Sequence, residues 1–300
     1  MKLGAKITAL GFWAGWAFLW LIPEPIVAWA FKVSADLCWR LKFRGVRQLE
    51  LNLSRVLNLP ASSTQIRALS RNGMRRYLRY YYEIFLLTRW SRDEIRSRVR
   101  VENDDAVIEA LKSGGVILTL PHSGNWDLAG AWAALNYSKV ATVAERLKPE
   151  LVFRKFLEMR TALGMNILPL TGEAGIYEFL RSEVVAGHVV PLLGDRDVAK
   201  NGMGNQFFGA RATLPIGAAV LAIDTGRPLF TCSTWYDGQM LVITFDEQVS
   251  VSNAQVTGRD RLKLAQQVSA EVASRFEQHI SAHPEDWHML QPVWADLVVD

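Results

Sequence analysis

The segment Pro121-His122-Ser123-Gly124-Asn125-Trp126-Asp127 follows an apolar run at Val116–Leu120 and carries the residues best suited to proton chemistry. Imidazole titrates nearest neutrality of all side chains, so His122 at a strand end can serve as a general base. Asp127, five residues on, falls in the first turn of the helix expected next, where a carboxylate is electrostatically favoured and can orient the imidazole or raise its basicity. Backbone N–H groups at that helix start, after the turn at Gly124, are positioned to meet a developing oxyanion. Two more polar runs follow apolar segments: Glu145-Arg146 after residues 140–143, and Gly194-Asp195-Arg196-Asp197 after Val189–Leu193. In parallel sheets, active groups gather beyond the carboxyl ends of the strands. These three runs are therefore expected on one rim, bringing a base, carboxylates and guanidinium groups together.

Other chemistries fit the residues less well. His279 and His283 stand four apart with Glu285, Asp286 and His288 nearby, but no H-E-x-x-H pattern is present and Pro284 interrupts the group, so no metal is expected. Ser123 lacks the G-x-S-x-G setting of a hydrolase nucleophile. The two cysteines, Cys38 and Cys232, lie too far apart in sequence for a metal cluster or a disulfide framework; Cys232 reads as a core residue. No cofactor-binding fingerprint occurs.

Positioning these groups requires alternating strands and helices, and the chain has that grammar from about residue 104. Strands are expected at 116–120, 140–143, 167–170, 189–193, 228–235 and 240–246, with helices at 106–112, 126–135, 149–163, 177–186, 215–225 and 259–282. The fold class is α/β, a mainly parallel central sheet flanked by helices on both faces. Residues 202–205 read as a loop able to gate a groove. Before the sheet, 33–58 and 64–89 read as helices. The domain reading is a membrane-associating helical hairpin at 1–31, then one catalytic domain at 32–300, made of basic helices (32–100) and an α/β core (101–300).

Half of the 300 residues are hydrophobic and 21% are charged, which excludes a disordered or fibrous chain. The net charge of +4 conceals an asymmetry: residues 32–100 carry +11, residues 101–300 carry −8. A basic third seeks anions. Residues 7–22 hold no charge but include Phe12, Trp13, Trp16, Phe18 and Trp20, and Pro23-Glu24-Pro25 then breaks the run. Tryptophan beside arginine suits headgroup level, so the expected partner is an anionic membrane surface and not nucleic acid, although Tyr80-Tyr81-Tyr82 among arginines would also suit base stacking. A span or a signal peptide is the rival reading of residues 3–31.

The form PHSGNWD resembles the His-x4-Asp motif of the lysophospholipid and lipid A type acyltransferases. Residues 143–150 (VAERLKPE), the GDRD run with Phe207-Phe208-Gly209 after it, and 282–294 (AHPEDWHMLQPVW) resemble the actinobacterial phosphatidylinositol mannoside acyltransferases. The resemblance runs from about residue 115 to 294. It implies transfer of a long fatty acyl chain from an acyl-CoA such as palmitoyl-CoA to the 6-hydroxyl of a mannose on phosphatidylinositol mannosides, at the cytoplasmic face of the plasma membrane, with no cofactor. It further implies His122 as the base and Asp127 as the motif acid, shaping the local structure and tuning His122. Asp195 stands where the family carries a Glu that partners the His, one methylene longer. Glu145 would contact the sugar, and Arg146, Arg160 and Arg196 would meet anionic groups. The chemistry is consistent in itself: a sugar hydroxyl needs a base, whereas a thioester already holds a good leaving group. The alternatives are a lipid A type or other glycolipid acceptor, or a basic membrane-surface protein without catalysis.

Overall fold

The computed structural model describes residues 20–146, 148–170, 174–251 and 256–299. Residues 1–19, which hold most of the expected hairpin, lie outside the described residues. Helix α1 (Glu24–Arg40) is followed by α2 (Arg44–Val56), α3 (Thr64–Leu87) and α4 (Arg92–Ser97). The single helix expected over 33–58 is thus two, separated at Lys42, whose φ of 52° is incompatible with a continuous right-handed helix. Helix α1 also runs through residue 31, where a domain boundary was expected. It packs along α3, tied by Asp36, which accepts bidentate bonds from both Arg71 and Arg75 at 2.8–3.0 Å. Those two arginines therefore hold a helix pair together and are not simply a solvated basic face. Ser63 caps α3 by accepting from the Ile66 N–H, and Ser91 with Glu94 forms a capping box at α4.

The core follows in the order β1 (Val99–Glu102), α5 (Asp105–Ser113), β2 (Val116–Leu120), α6 (Trp126–Asn136), β3 (Val140–Ala144), α7 (Glu150–Ala162), β4 (Met165–Pro169), α8 (Ile176–Val185), β5 (Val189–Leu193), β6 (Met203–Phe207), β7 (Ala210–Leu214), α9 (Gly217–Thr225), β8 (Leu229–Asp237), β9 (Met240–Gln248) and α10 (Gly258–Ala282). Seven strands form one sheet in the order β1-β9-β8-β2-β5-β3-β4. Every pairing in it is parallel except the β8–β9 hairpin, which turns at Gly238 (φ 58°). Apolar clusters cover both faces, one including Leu118 and Leu128, the other Ile117 and Leu221, as the sequence pattern predicts. The segment read as a gating loop is instead β6 of a separate antiparallel hairpin with β7. Its alternate residues Asn205 and Phe207 are buried, a pattern that Gly202 and Gly204 hide in the sequence.

The strand order sets β2, β5 and β3 side by side, so their carboxyl ends share a rim. The ladder between β3 and β5 stops after Val140–Val189. Val189 N donates to Lys139 O (3.0 Å) on that edge, and two residues later, where the alternation returns to the same edge, stands Pro191 with no N–H to give. The strands part there, bridged by the Thr142 hydroxyl donating to Pro191 O, and a cavity opens between them. Turning out of β2, Gly124 adopts φ 57°, and a Cβ there would stand 2.7 Å from the Thr234 backbone. Gly124→Ala is expected to cost about 1–3 kcal/mol in denaturant unfolding, through left-handed strain and overlap together.

Candidate active site

His122, at the end of β2, forms a two-point contact with Asp195, just beyond β5. Its Nδ1 lies 2.6 Å from Asp195 Oδ1, and its backbone N–H donates to Oδ2 at 2.9 Å. A third donor, Trp287 Nε1, reaches Oδ2 at 2.8 Å. Asp195 and Trp287 are fully buried. Burial alone would raise the Asp195 carboxyl, but the charge of His122 and the converging hydrogen bonds outweigh it and hold the group below its ordinary value. In the neutral tautomer that donates Nδ1–H to Asp195, the Nε2 lone pair of His122 can take a proton from a reacting group. The imidazole lines the cavity and meets Trp126 edge-on, with ring centres 5.4 Å apart.

The segment after α10 clamps this loop from behind. His288 N donates to His122 O (2.7 Å), Gly124 N donates to Asp286 O (2.9 Å), and Ser123 bridges to Trp287. His288 bonds Gly124 O through Nε2 at 2.9 Å; its complete burial lowers its pKa to about 3, so it stays neutral. The N–H groups of Ser123 and Gly124 are thus occupied, by Pro121 O and Asp286 O, and that of Leu128 by the capping Asn125 Oδ1. An oxyanion would have to turn to the first-turn N–H groups of Trp126 and Asp127, which α6 itself does not use.

Asp127 does not meet His122. Its carboxylate receives two bonds from Arg160 of α7 (2.5 and 2.9 Å) and one from the buried Tyr80 hydroxyl of α3 (2.8 Å). Arg160 spends its guanidinium on this pair; burial opposes its charge, but Asp127 more than compensates and raises its pKa. The two residues join α6, α7 and α3, and both line the cavity. Glu145 and Arg196 face each other across the splayed strands (2.9 Å) at the cavity rim. Arg146 turns onto Glu150 at the start of α7, with bonds of 2.9 and 2.8 Å.

Several supporting groups escape local sequence reasoning. Trp287 lies in the 282–294 run, where no spacing argument marks it. Glu83 of α3 accepts from Asn125 Nδ2 (2.8 Å), Arg79 Nε (2.7 Å) and the Tyr236 hydroxyl, fixing the cap of α6 from a distant helix. The C-terminal histidines diverge: His279 bonds Asp246 (2.8 Å), His283 stacks on Trp235 (3.8 Å), and His288 turns to Gly124. Among the described residues, no three His, Cys, Asp or Glu side chains converge as metal ligands would. The cavity itself, about 590 Å³, extends from His122 into the apolar core. That is within the 300–1,000 Å³ range of small-molecule sites.

A histidine–carboxylate pair thus stands on the rim of a mainly parallel sheet and borders a largely apolar cavity, a setting suited to general-base catalysis. The chain belongs to the family of bacterial lipid A biosynthesis acyltransferases, whose profile it matches over residues 3–296, and it is an acyltransferase. It is 37% identical to the phosphatidylinositol mannoside acyltransferase of Mycolicibacterium smegmatis over 300 residues, covering 99% of this chain and 95% of that protein. It is 35% identical to the protein of the same name from Mycobacterium tuberculosis over 289 residues, covering 95% and 88%.

Arg160→Ala is expected to strand a buried Asp127 carboxylate and to lower stability by about 3–5 kcal/mol. Trp287→Phe, which keeps the apolar bulk but removes one bond to Asp195, should cost only about 1–2 kcal/mol. Chemical unfolding of both variants checks this ordering.

Proposed function

We propose that the protein transfers a long fatty acyl chain from acyl-CoA to the 6-hydroxyl of a mannose on a phosphatidylinositol mannoside, with His122 as general base. The observation that carries the reading is the His122–Asp195 pair at the entrance of a deep apolar cavity, joined by the printed names of the two relatives. The mannose oxygen attacks the thioester carbonyl as His122 Nε2 takes its proton. Collapse of the tetrahedral intermediate breaks the C–S bond, and the imidazolium returns the proton to the departing thiolate. Asp195 remains a carboxylate and holds the imidazole in the required tautomer. Glu145, Arg146 and Arg196, near the rim, suit the sugar and the phosphate groups. The reaction as written calls for no cofactor.

The same reading seats the enzyme on the cytoplasmic face of the plasma membrane, on an anionic surface. Helix α1 supports this. Ile26, Trp29, Val33 and Leu37 leave its outer side apolar and exposed, with Leu41 and Phe43 continuing the stripe. Contiguous exposed apolar surface of this kind marks a contact face. Lys32, Arg40, Arg44 and Arg47 are exposed in or beside it. No helix of the described residues is long and apolar enough to cross a membrane, so the face suits interfacial docking.

His122→Ala should lower transfer from palmitoyl-CoA to a mannosylated phosphatidylinositol by at least about 10²-fold with folding retained. Acceptor-free controls separate transfer from thioester hydrolysis. Wild-type inactivity with this acceptor but transfer to a lipid A precursor would replace the acceptor. Trp29→Glu with Leu37→Glu in the full chain should weaken binding to phosphatidylglycerol vesicles about tenfold or more in cosedimentation. Unchanged binding would refute the role of α1.

A further inference from the structure

The segment that clamps the His122 loop carries an acid of its own with no settled partner. Among the described residues, the buried side-chain polar atoms that lack a hydrogen bond all belong to this segment: both carboxyl oxygens of Asp286, and Nδ1 of His288. Asp286 is fully buried, and its backbone carbonyl accepts from Gly124 N–H. The next two residues hold the site. Trp287 donates to Asp195, and His288 bonds both His122 O and Gly124 O.

The cation facing Asp286 stops short of it. Arg76 Nε of α3 lies 3.7 Å from Asp286 Oδ1, beyond hydrogen-bond reach. Its guanidinium is engaged by Tyr236 of β8, donating to the backbone O at 3.3 Å and lying 5.3 Å from the ring centre. The other charged and titratable groups around Asp286 have partners elsewhere. Arg79 of α3 and the Tyr236 hydroxyl bond Glu83. From the end of α10, His279 bonds Asp246, and His283 stacks on Trp235. Glu285, next in sequence, adds charge of the same sign. A buried carboxyl placed like this favours its neutral form. Burial pushes its pKa up to about 7, Glu285 adds to the rise, and Arg76, the Tyr236 backbone and Arg79 oppose it.

We propose that Asp286 is a positioning residue that lets its segment close on the His122 loop while it carries a proton, and drives that segment to open towards water when it ionises. It touches no reacting atom and acts through Trp287, His288 and the Gly124 N–H. The sign follows from linkage: the closed state holds the proton more tightly than the open one, so proton loss favours opening. For the whole fold, the carboxyl titrates near 7 when folded against an ordinary 3.8. Its contribution to stability is therefore complete below about pH 4 and is lost as pH rises to about 7. The inference holds for any acyl acceptor.

The test uses the full chain as wild type, Asp286→Asn and Arg76→Met. It reads denaturant unfolding from pH 4 to 8.5, and the protection of the Gly124 amide by hydrogen exchange, corrected for the intrinsic rate. The Asn variant keeps the shape without titrating. Relative to it, wild type should lose about tenfold in folding equilibrium constant per pH unit between about pH 4 and 7. Gly124 protection should fall between pH 6 and 8.5 in wild type and stay level in Asp286→Asn. Arg76→Met removes a cation that favours the anion, so the transition should move to higher pH. The ratio of transfer rates at pH 8.5 and pH 6 should be about tenfold or more higher in Asp286→Asn than in wild type. Parallel pH profiles of stability and protection in wild type and Asp286→Asn would overturn the proposal. If Asp286→Asn does not fold, the comparison of wild type with Arg76→Met decides: an unmoved or lowered transition would overturn it. Stability and exchange do not depend on the substrate, so failure of the transfer reading leaves the test intact.

Discussion

Placing a carboxylate out of contact with water is costly unless its charge is met by donors on every side. Asp195 is fully buried and meets this condition with three: the imidazole and the backbone N–H of His122, and the indole N–H of Trp287. These donors come from the end of β2 and from the segment after α10, while Asp195 itself follows β5. The one charge thereby fastens the rim of the sheet to the C-terminal segment. That segment in turn holds the His122 loop through His288 and Asp286. The geometry of the candidate base thus follows from satisfying a buried charge, and little freedom is left to the imidazole.

A second buried charge organises the neighbouring helices. Asp127 begins α6, where the helix N-terminus favours it, and Arg160 with Tyr80 completes its shell. The His-x4-Asp spacing therefore gives its two residues different partners. His122 faces the cavity and is held by a carboxylate from another strand. Asp127, also on the cavity wall, is held by Arg160 and Tyr80 and so locks α6 to α7 and α3. The cavity has its own local cause. Pro191 cannot donate to β3, so the parallel ladder ends early, and an otherwise continuous sheet opens next to the base.

The alternation of apolar runs and helical stripes made the α/β class, most element positions and the three polar rim segments legible from sequence. These are short-range signals, because strand and helix periodicities of 2 and 3.6 residues are written within a dozen positions. The break at Lys42 and the β6–β7 hairpin were not legible. The first is one residue held in the left-handed region within an otherwise helical pattern. The second is a short hairpin whose glycines read as loop and whose inner face is buried by α10 and the C-terminal segment, as in the bonds from Asn205 to Ser269 and from Trp294 to Phe207.

By itself, the sequence determined that His122 ends a buried strand, that a turn at Gly124 leads into a helix with Asp127 in its first turn, and that carboxylates and arginines follow two more strands. Family resemblance, and not spacing, pointed to Asp195 as partner of the imidazole. Only the tertiary structure decided which carboxylate His122 contacts, because the pair is 73 residues apart and is joined by strand order. It also decided that Arg160 pairs with Asp127, that Trp287 completes the shell of Asp195, and that the small residues of α6 line the cavity. The physical reason is common to all of these. A hydrogen bond or a cavity wall depends on where whole elements pack, and packing is settled by burial over the entire core rather than by neighbours along the chain.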